Sequence, residues 1–576
     1  MHHQLKQLFI ESAEKSLTTI PEKLSDSFQL ERTKKKSFGD FSCNIAMVNA
    51  KNESVRPINL AKSIINNLAP NELIEKLEIA GPGFINIFLK TSVYHKNLKT
   101  LFLNQDSYGH QKKEVPRKIL VEFVSANPTG PLHVGHGRGA AFGSTLINIL
   151  KASGDKVDSE YYVNDGGRQM DILAISIYLK YLIENQINIC YPSNCYQAKY
   201  IEDMASIIKD EHLNKFVRQE EKIITICLDE EEDEKKLDSL IQNTKNILQQ
   251  DYDIFFNLGL KTILDDIHDD LSEFGVNFDN WISEKKFLTN GSLEKTVGLL
   301  EKNGFTYNKD GALWFAAEKC GDDKDRVLIR DNGTPTYFTC DLAYHLDKLD
   351  RDYDHLINVW GADHHGYIQR VKSGIRSAGY DDSKLEVLLI QFVSLFKDSK
   401  KLQMSTRSGN YITLRDLRNE VGNDAARIFY ISRSNDQHLD FDMTLAQKQS
   451  NENPVFYIQY AHARIVSIID NQNLSINDIL HVVKPELLDN EHEMNLIIGL
   501  SKFPEIIEHS SKHFAPQHVV AYLTEISSLF HTNYAANKVL VDDQDLQNAR
   551  IMLYFAVKCT IKNGLKILGV EALEKM

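Results

Sequence analysis

The spacing of apolar residues along this 576-residue chain changes period more than once, and each change marks a boundary. Residues 5–17 and 58–68 place apolar side chains on one helical face, which predicts two amphipathic helices. Between them lies Phe38-Gly39-Asp40-Phe41-Ser42-Cys43-Asn44. Residues 77–89 read as two short strands around the turn Gly81-Pro82-Gly83. The polar stretch 109–114 reads as a linker, so residues 1–112 are expected to form a separate α+β domain.

From Pro116 onward strand and helix patterns alternate. Residues 118–124, 157–163 and 356–360 read as strands, and 137–151, 168–182 and 366–378 as the helices that follow them. This βαβ alternation predicts a Rossmann-like parallel sheet with ligands at the carboxyl ends of its strands. Residues from about 190 to 290 interrupt it with polar, mainly helical sequence, in which the acidic run 229–234 reads as a solvated face. From residue 451 the pattern is helical almost throughout, with Tyr457, Tyr460 and Arg464, and later Tyr522, Ile526 and Phe530, at helical spacing. The expected fold is α/β over 113–450, preceded by the α+β domain and followed by an all-α bundle over 451–576.

Composition narrows the function classes. With 42% hydrophobic and 25% charged residues the chain is that of a globular protein with a sizeable core. No apolar run approaches the roughly 20 residues that span a bilayer, and no membrane partner is expected. The start Met1-His2-His3-Gln4 lacks a secretory pattern, which predicts a cytoplasmic protein. Seven cysteines without a C-x-x-C pair argue against a disulfide framework or a structural zinc site. A net charge of −14 lowers the prior for non-specific nucleic-acid binding, yet a local basic face on an RNA-binding surface remains compatible with it.

Candidate chemistry concentrates in Ser125-Ala126-Asn127-Pro128-Thr129-Gly130-Pro131-Leu132-His133-Val134-Gly135-His136, where a strand hands over to a helix N-terminus. Free backbone N–H groups and the helix dipole favour an anion there, imidazoles add donors, and Gly135 allows close approach. Taken alone, His133-x-x-His136 reads as readily as a helix cap. A metal pair is disfavoured, because no glutamate follows His133 and no third ligand stands at a recognisable spacing. A second constellation, Gly361-Ala362-Asp363-His364-His365-Gly366-Tyr367, closes another strand, and a Gly followed by an acid at that position suits a ribose. A third is Gln403-Met404-Ser405-Thr406-Arg407-Ser408-Gly409-Asn410, by itself a surface loop.

In this order on a βαβ chain, the three resemble a class I aminoacyl-tRNA synthetase, with His133-Val134-Gly135-His136 as the first signature and 403–407 as a degenerate second one. Within the class the resemblance is to the arginyl-tRNA synthetase family. Ser125-Ala126-Asn127-Pro128, residues 337–344, Asp424-Ala425-Ala426-Arg427 and the ending 563–570 carry it over nearly the whole chain. It implies an enzyme that forms arginyl-adenylate from L-arginine and ATP, then transfers arginine to the terminal ribose of tRNA(Arg). ATP would be a substrate, bound with Mg2+; no tightly bound cofactor or protein-held metal is implied, and a monomer is expected.

The resemblance also implies roles. His133, His136, Gly135, Met404, Ser405 and Arg407 would serve the phosphates, and Gly361, Asp363 and His364 the nucleoside. Glu122 and Asp341 would face the guanidinium; Ser125, Asn127 and Tyr337 would hold the rest of the amino acid. Glu122 lies within an apolar strand, where a carboxylate without a partner is costly, so a ligand partner is expected for it. Tyr457, Tyr460 and Arg464 would stack on anticodon bases, with core packing as the alternative. Gln403 and Thr406 stand where lysines are usual, and Gly130 offers no substitute. That leaves Arg407, or Lys400 and Lys401, to supply some of the charge, and shifts more of the phosphate stabilisation onto His133 and His136. A synthetase of the class for another amino acid, or a non-catalytic tRNA-binding relative, stays open from the residues alone.

Overall fold

The computed structural model describes residues 1–21, 24–189, 191–218, 234–402, 412–471 and 476–576. Its centre is a five-stranded, wholly parallel sheet. Across the sheet the strands run Leu385–Ile390, His355–Gly361, Lys118–Glu122, Lys156–Val163, Asn280–Ser283. Chain order therefore reverses beside Lys118–Glu122, whose neighbours are the second and the fourth strands of the sheet. That reversal opens a crevice at the carboxyl ends, where ligands bind in folds of this kind. Ile119, Leu120 and Val121 are buried on both faces, which explains why the strand reads as a continuous apolar run.

The predicted strands and helices of this region are present. Helices Val134–Ala152, Arg168–Glu184, Tyr337–Asp350 and His365–Ser377 cover the sheet. Two differences stand out. The first helix begins at Val134 rather than at 137, because His133 caps it. Asn280–Ser283 lies inside the span read as an interruption, yet it pairs with Lys156–Val163 as the edge strand of the sheet. The helices Lys199–His212, Glu234–Leu248 and Tyr252–Glu273 occupy the rest of that span.

The N-terminal region pairs Leu30–Arg32, Phe41–Cys43, Phe84–Leu89 and Ile74–Ala80 in an antiparallel sheet, with helices His2–Glu14 and Pro57–Asn67 against it. Its hairpin turns at Gly81-Pro82-Gly83, as the sequence indicates. The C-terminal region is helical, dominated by Pro454–Asp470, Gln517–Ala536 and Gln544–Leu568. Arg32 bridges to Glu505 at 2.6 Å, and Asn563 donates to the Gln105 carbonyl at 2.7 Å, so the first and last regions grip each other directly. Among the described residues no helix is long and apolar enough to cross a membrane.

Candidate active site

At the carboxyl ends of the sheet lies a cavity of about 690 Å³. The structure brings Glu122, Ser125, Ala126, Asn127, His133, Val134, Gly135, His136, Asp341, Gly361, Asp363 and His364 into its wall. Pro128 to Leu132 complete the signature without lining the cavity; Thr129 instead offers its carbonyl to Tyr200 at 2.7 Å. Tyr337 does not line it either. It is half exposed, and its hydroxyl accepts the Arg168 N–H at 3.2 Å, beside Gly167. Met404, Ser405 and Arg407 lie outside the described residues, as do Gln403 and Thr406.

The flanks of that segment are informative. Leu414 donates to the Leu132 carbonyl at 2.8 Å, Val134 donates to the Ile412 carbonyl at 3.3 Å, and His133 bridges to Thr413. The chain following the second signature is thus laced to the backbone of the first.

The histidines do two things at once. His133 Nδ1 accepts the Gly135 N–H at 3.1 Å, and His136 Nδ1 accepts the His133 N–H at 3.3 Å, a reciprocal capping box. With Nδ1 used as an acceptor, each neutral ring carries its proton on Nε2 and presents a donor there. The rings stack with centroids 3.6 Å apart. Burial, and then the neighbouring His133, hold His136 down to about 3; burial also lowers His133. The pair therefore offers N–H donors rather than positive charge. Gly135 follows from the same packing: a Cβ there would lie 2.9 Å from the His133 ring.

Ahead of the signature the backbone is strained. Val124 and Ser125 have φ of 66° and 40°, a region that costs a non-glycine residue about 1–3 kcal/mol. The turn folds Ser125 Oγ back, where it donates to Glu122 at 3.0 Å and accepts the Tyr162 N–H at 3.1 Å.

Glu122 is 5% exposed, but it does not wait for a ligand to balance it. The ammonium of fully buried Lys348 pairs with its other oxygen, which overturns the premise that its buried charge needs a substrate. Asp341 is different. Tyr367 donates to it, and among the described residues no cation pairs with it. Burial, reinforced by Glu122 and opposed by the Tyr367 bond and the charge of Lys348, pushes its carboxyl up to about 6. Buried Glu284 nearby is pushed up to about 7, by burial and by Asp341. This part of the cavity holds uncompensated acid and suits a cation.

Sequence reasoning missed Tyr162, Asn164, Tyr344, His345, Tyr367 and Phe392, all in the wall. Phe392 is 61% exposed, a large aromatic face in the same wall as Gly135 and Gly361. A bare apolar residue after a strand gives no signal for this role. The aromatic cluster of the bundle is partly exposed rather than core: Tyr460 stacks on Phe456 and His531, and the Arg464 guanidinium lies 4.3 Å from the Tyr534 ring centre.

A parallel sheet with reversed strand order, a histidine-capped helix at the reversal and an acid-lined cavity beside it fit the class I tRNA synthetases. In agreement, the catalytic-domain model of tRNA synthetases class I (R) matches residues 97–440. The arginyl tRNA synthetase N-terminal domain matches 3–89, and the DALR anticodon binding domain 458–576. An arginine–tRNA ligase of Thioalkalivibrio sulfidiphilus is 44% identical over 566 residues, covering 97% of both chains. One from Nitrosomonas eutropha is 46% identical over 564 residues, 97% of this chain and 96% of that one. The Thermus thermophilus arginyl-tRNA synthetase structure shares the fold, with a TM-score of 0.74 over 100% of both chains at 19% identity. The chain belongs to the arginyl-tRNA synthetase family.

Proposed function

We infer that this chain ligates L-arginine to tRNA(Arg) in two steps within this cavity. The arginine carboxylate attacks the α-phosphorus of ATP, forming arginyl-adenylate and expelling pyrophosphate. A hydroxyl of the terminal tRNA ribose then attacks the adenylate carbonyl and releases AMP. Positioning and electrostatics do most of the work in such a transfer.

The observation that carries the amino-acid assignment is Asp341, a pocket carboxyl that forms no ion pair among the described residues. A planar guanidinium supplies both the charge and paired donors. Ser125 and Asn127 line the same wall and suit the substrate's α-amino and carboxylate groups. Tyr337, at the rim, would close over the side chain. His133 and His136 donate to phosphate oxygens, and Gly361, Asp363 and His364 take the ribose. Met404, Ser405 and Arg407 are assigned to the phosphates from the signature alone.

Magnesium would travel with the nucleotide. In the bundle, Tyr457, Tyr460 and Arg464 offer stacking faces to anticodon bases. Near-full-length identity to arginine–tRNA ligases leaves the reading of a synthetase for another amino acid without support.

Arginine-dependent exchange of pyrophosphate into ATP, run with and without tRNA, tests the first step. Exchange is expected with arginine when tRNA is present. ATP binding with no exchange for any amino acid would instead favour the non-catalytic relative.

A further inference from the structure

Behind the acid part of the cavity runs a buried chain of polar contacts. Ser125 Oγ donates to one oxygen of Glu122 at 3.0 Å, and the Lys348 ammonium pairs with the other. Lys348 also donates to Asn358 Oδ1 at 3.0 Å. The Asn358 amide donates to His345 Nε2 at 2.9 Å, and His345 Nδ1 donates to the Asp341 carbonyl at 2.7 Å. Burial holds His345 down to about 3, so it is neutral and its tautomer is fixed by these two bonds. Lys348 is fully buried, and its ammonium lies 4.1 Å above the Tyr344 ring. It is absent from the cavity wall.

Helix Tyr337–Asp350 explains the arrangement. Asp341, His345 and Lys348 recur at intervals of four and three residues, one face of a helix, and that face meets Asn358 and Glu122 on two adjacent parallel strands. The two pocket acids are thus wired to a single buried cation. Glu122 is neutralised by it; Asp341 forms no ion pair with it, feels its charge through space, and is joined to it through backbone and an uncharged relay.

We propose that Lys348 is a positioning residue for amino-acid selection, fixing Glu122 as a charge-balanced acceptor so that recruitment of the substrate cation is left to Asp341 and the neighbouring Glu284. A further uncompensated carboxylate at Glu122 would either take up a proton or draw a second cation, and in both cases the wall would no longer match one guanidinium. This rests on the arginine-ligating reading of the cavity. Lys348 acts through Glu122, so its effect must vanish when Glu122 cannot carry charge.

A double-mutant cycle tests this, using the full chain charging tRNA. In Lys348→Met the arginine KM is expected to rise at least ~10-fold while the ATP KM and kcat stay within about threefold, a split that general loosening would not produce. In a Glu122→Gln background, adding Lys348→Met is expected to change the arginine KM by less than about twofold. If Lys348→Met alone does not fold, Lys348→Gln takes its place in the cycle with the same expected rise in the arginine KM, because it removes the charge and keeps a donor for Glu122 and Asn358. Additive losses, equal rises in the arginine and ATP KM, or an unchanged arginine KM would each overturn the proposal. Failure of the parent protein to charge arginine would defeat the underlying reading and is read separately.

Discussion

On the proposed reading, Asp341 is the residue on which selection turns. Its carboxyl is pushed up to about 6, so below that pH it takes up a proton and loses its attraction for a guanidinium. The sign follows from linkage: a raised carboxyl favours the folded state while protonated, and its ionised form costs stability above about pH 6 until a cation offsets it. Arginine should therefore raise the melting temperature more at about pH 7.5 than at about pH 5, with Glu284 broadening the transition because it faces the same acid. Equal shifts at both pH values would remove Asp341 from the guanidinium. Asp341→Asn should lower arginine kcat/KM by about 10- to 100-fold with the ATP KM little changed, the loss for one charge-assisted contact. Gly135→Ala drives a Cβ into the His133 ring, so the ATP KM should rise by about tenfold, which steady-state kinetics would detect.

At the scale of elements, the junction between the two signatures is built from caps. Thr413 Oγ1 accepts the Asp416 N–H at 3.0 Å and begins helix Leu414–Val421, immediately after the residues that pair with the first signature. Thr413→Ala should cost about 1 kcal/mol, seen as a lower urea midpoint. An unchanged midpoint would mean that the pairing to Leu132 and Val134 carries the junction by itself.

The main strands were legible because burial on both faces leaves an unbroken apolar run, as in residues 119–121. Asn280-Trp281-Ile282-Ser283 was not, since a short, half-buried edge strand carries only two apolar residues. The helix start at Val134 was hidden by Gly135, Gly137 and Gly139, which lower helix propensity. Packing reverses that: a Cβ at Gly137 would lie 2.7 Å from Leu414, and one at Gly143 2.3 Å from Phe123. The histidines, Asp341 and the strand-end glycine were readable from motif and context. Lys348 was not, because a lysine at a polar helical position reads as solvent-facing until Glu122 and Asn358 are placed around it.

Over the whole molecule, the weaker resemblance segments prove to be where the regions are joined. Arg427, 1% exposed, donates to the Leu568 carbonyl at 2.9 Å, the Phe274 carbonyl at 2.9 Å and Ser144 Oγ at 2.8 Å. Asp424 accepts from Gln459 at 2.7 Å and from the Glu571 N–H at 3.3 Å. The Asp424-Ala425-Ala426-Arg427 motif and the ending 563–570 therefore meet, seating the helical bundle on the signature helix. Arg427→Met leaves these acceptors unpaired, so a loss on the order of 3 kcal/mol is expected, with the bundle unfolding earlier than the sheet in a hydrogen-exchange experiment. Simultaneous unfolding with no loss would contradict this role.

The central claim is that the cavity selects arginine and passes it to tRNA. Charging of total tRNA, measured for each amino acid in turn with ATP, tests it most directly, with Asp341→Asn run alongside. The account predicts acid-stable charging with arginine alone, strongly reduced in the variant. Charging with a different amino acid, or arginine charging indifferent to Asp341, would contradict it.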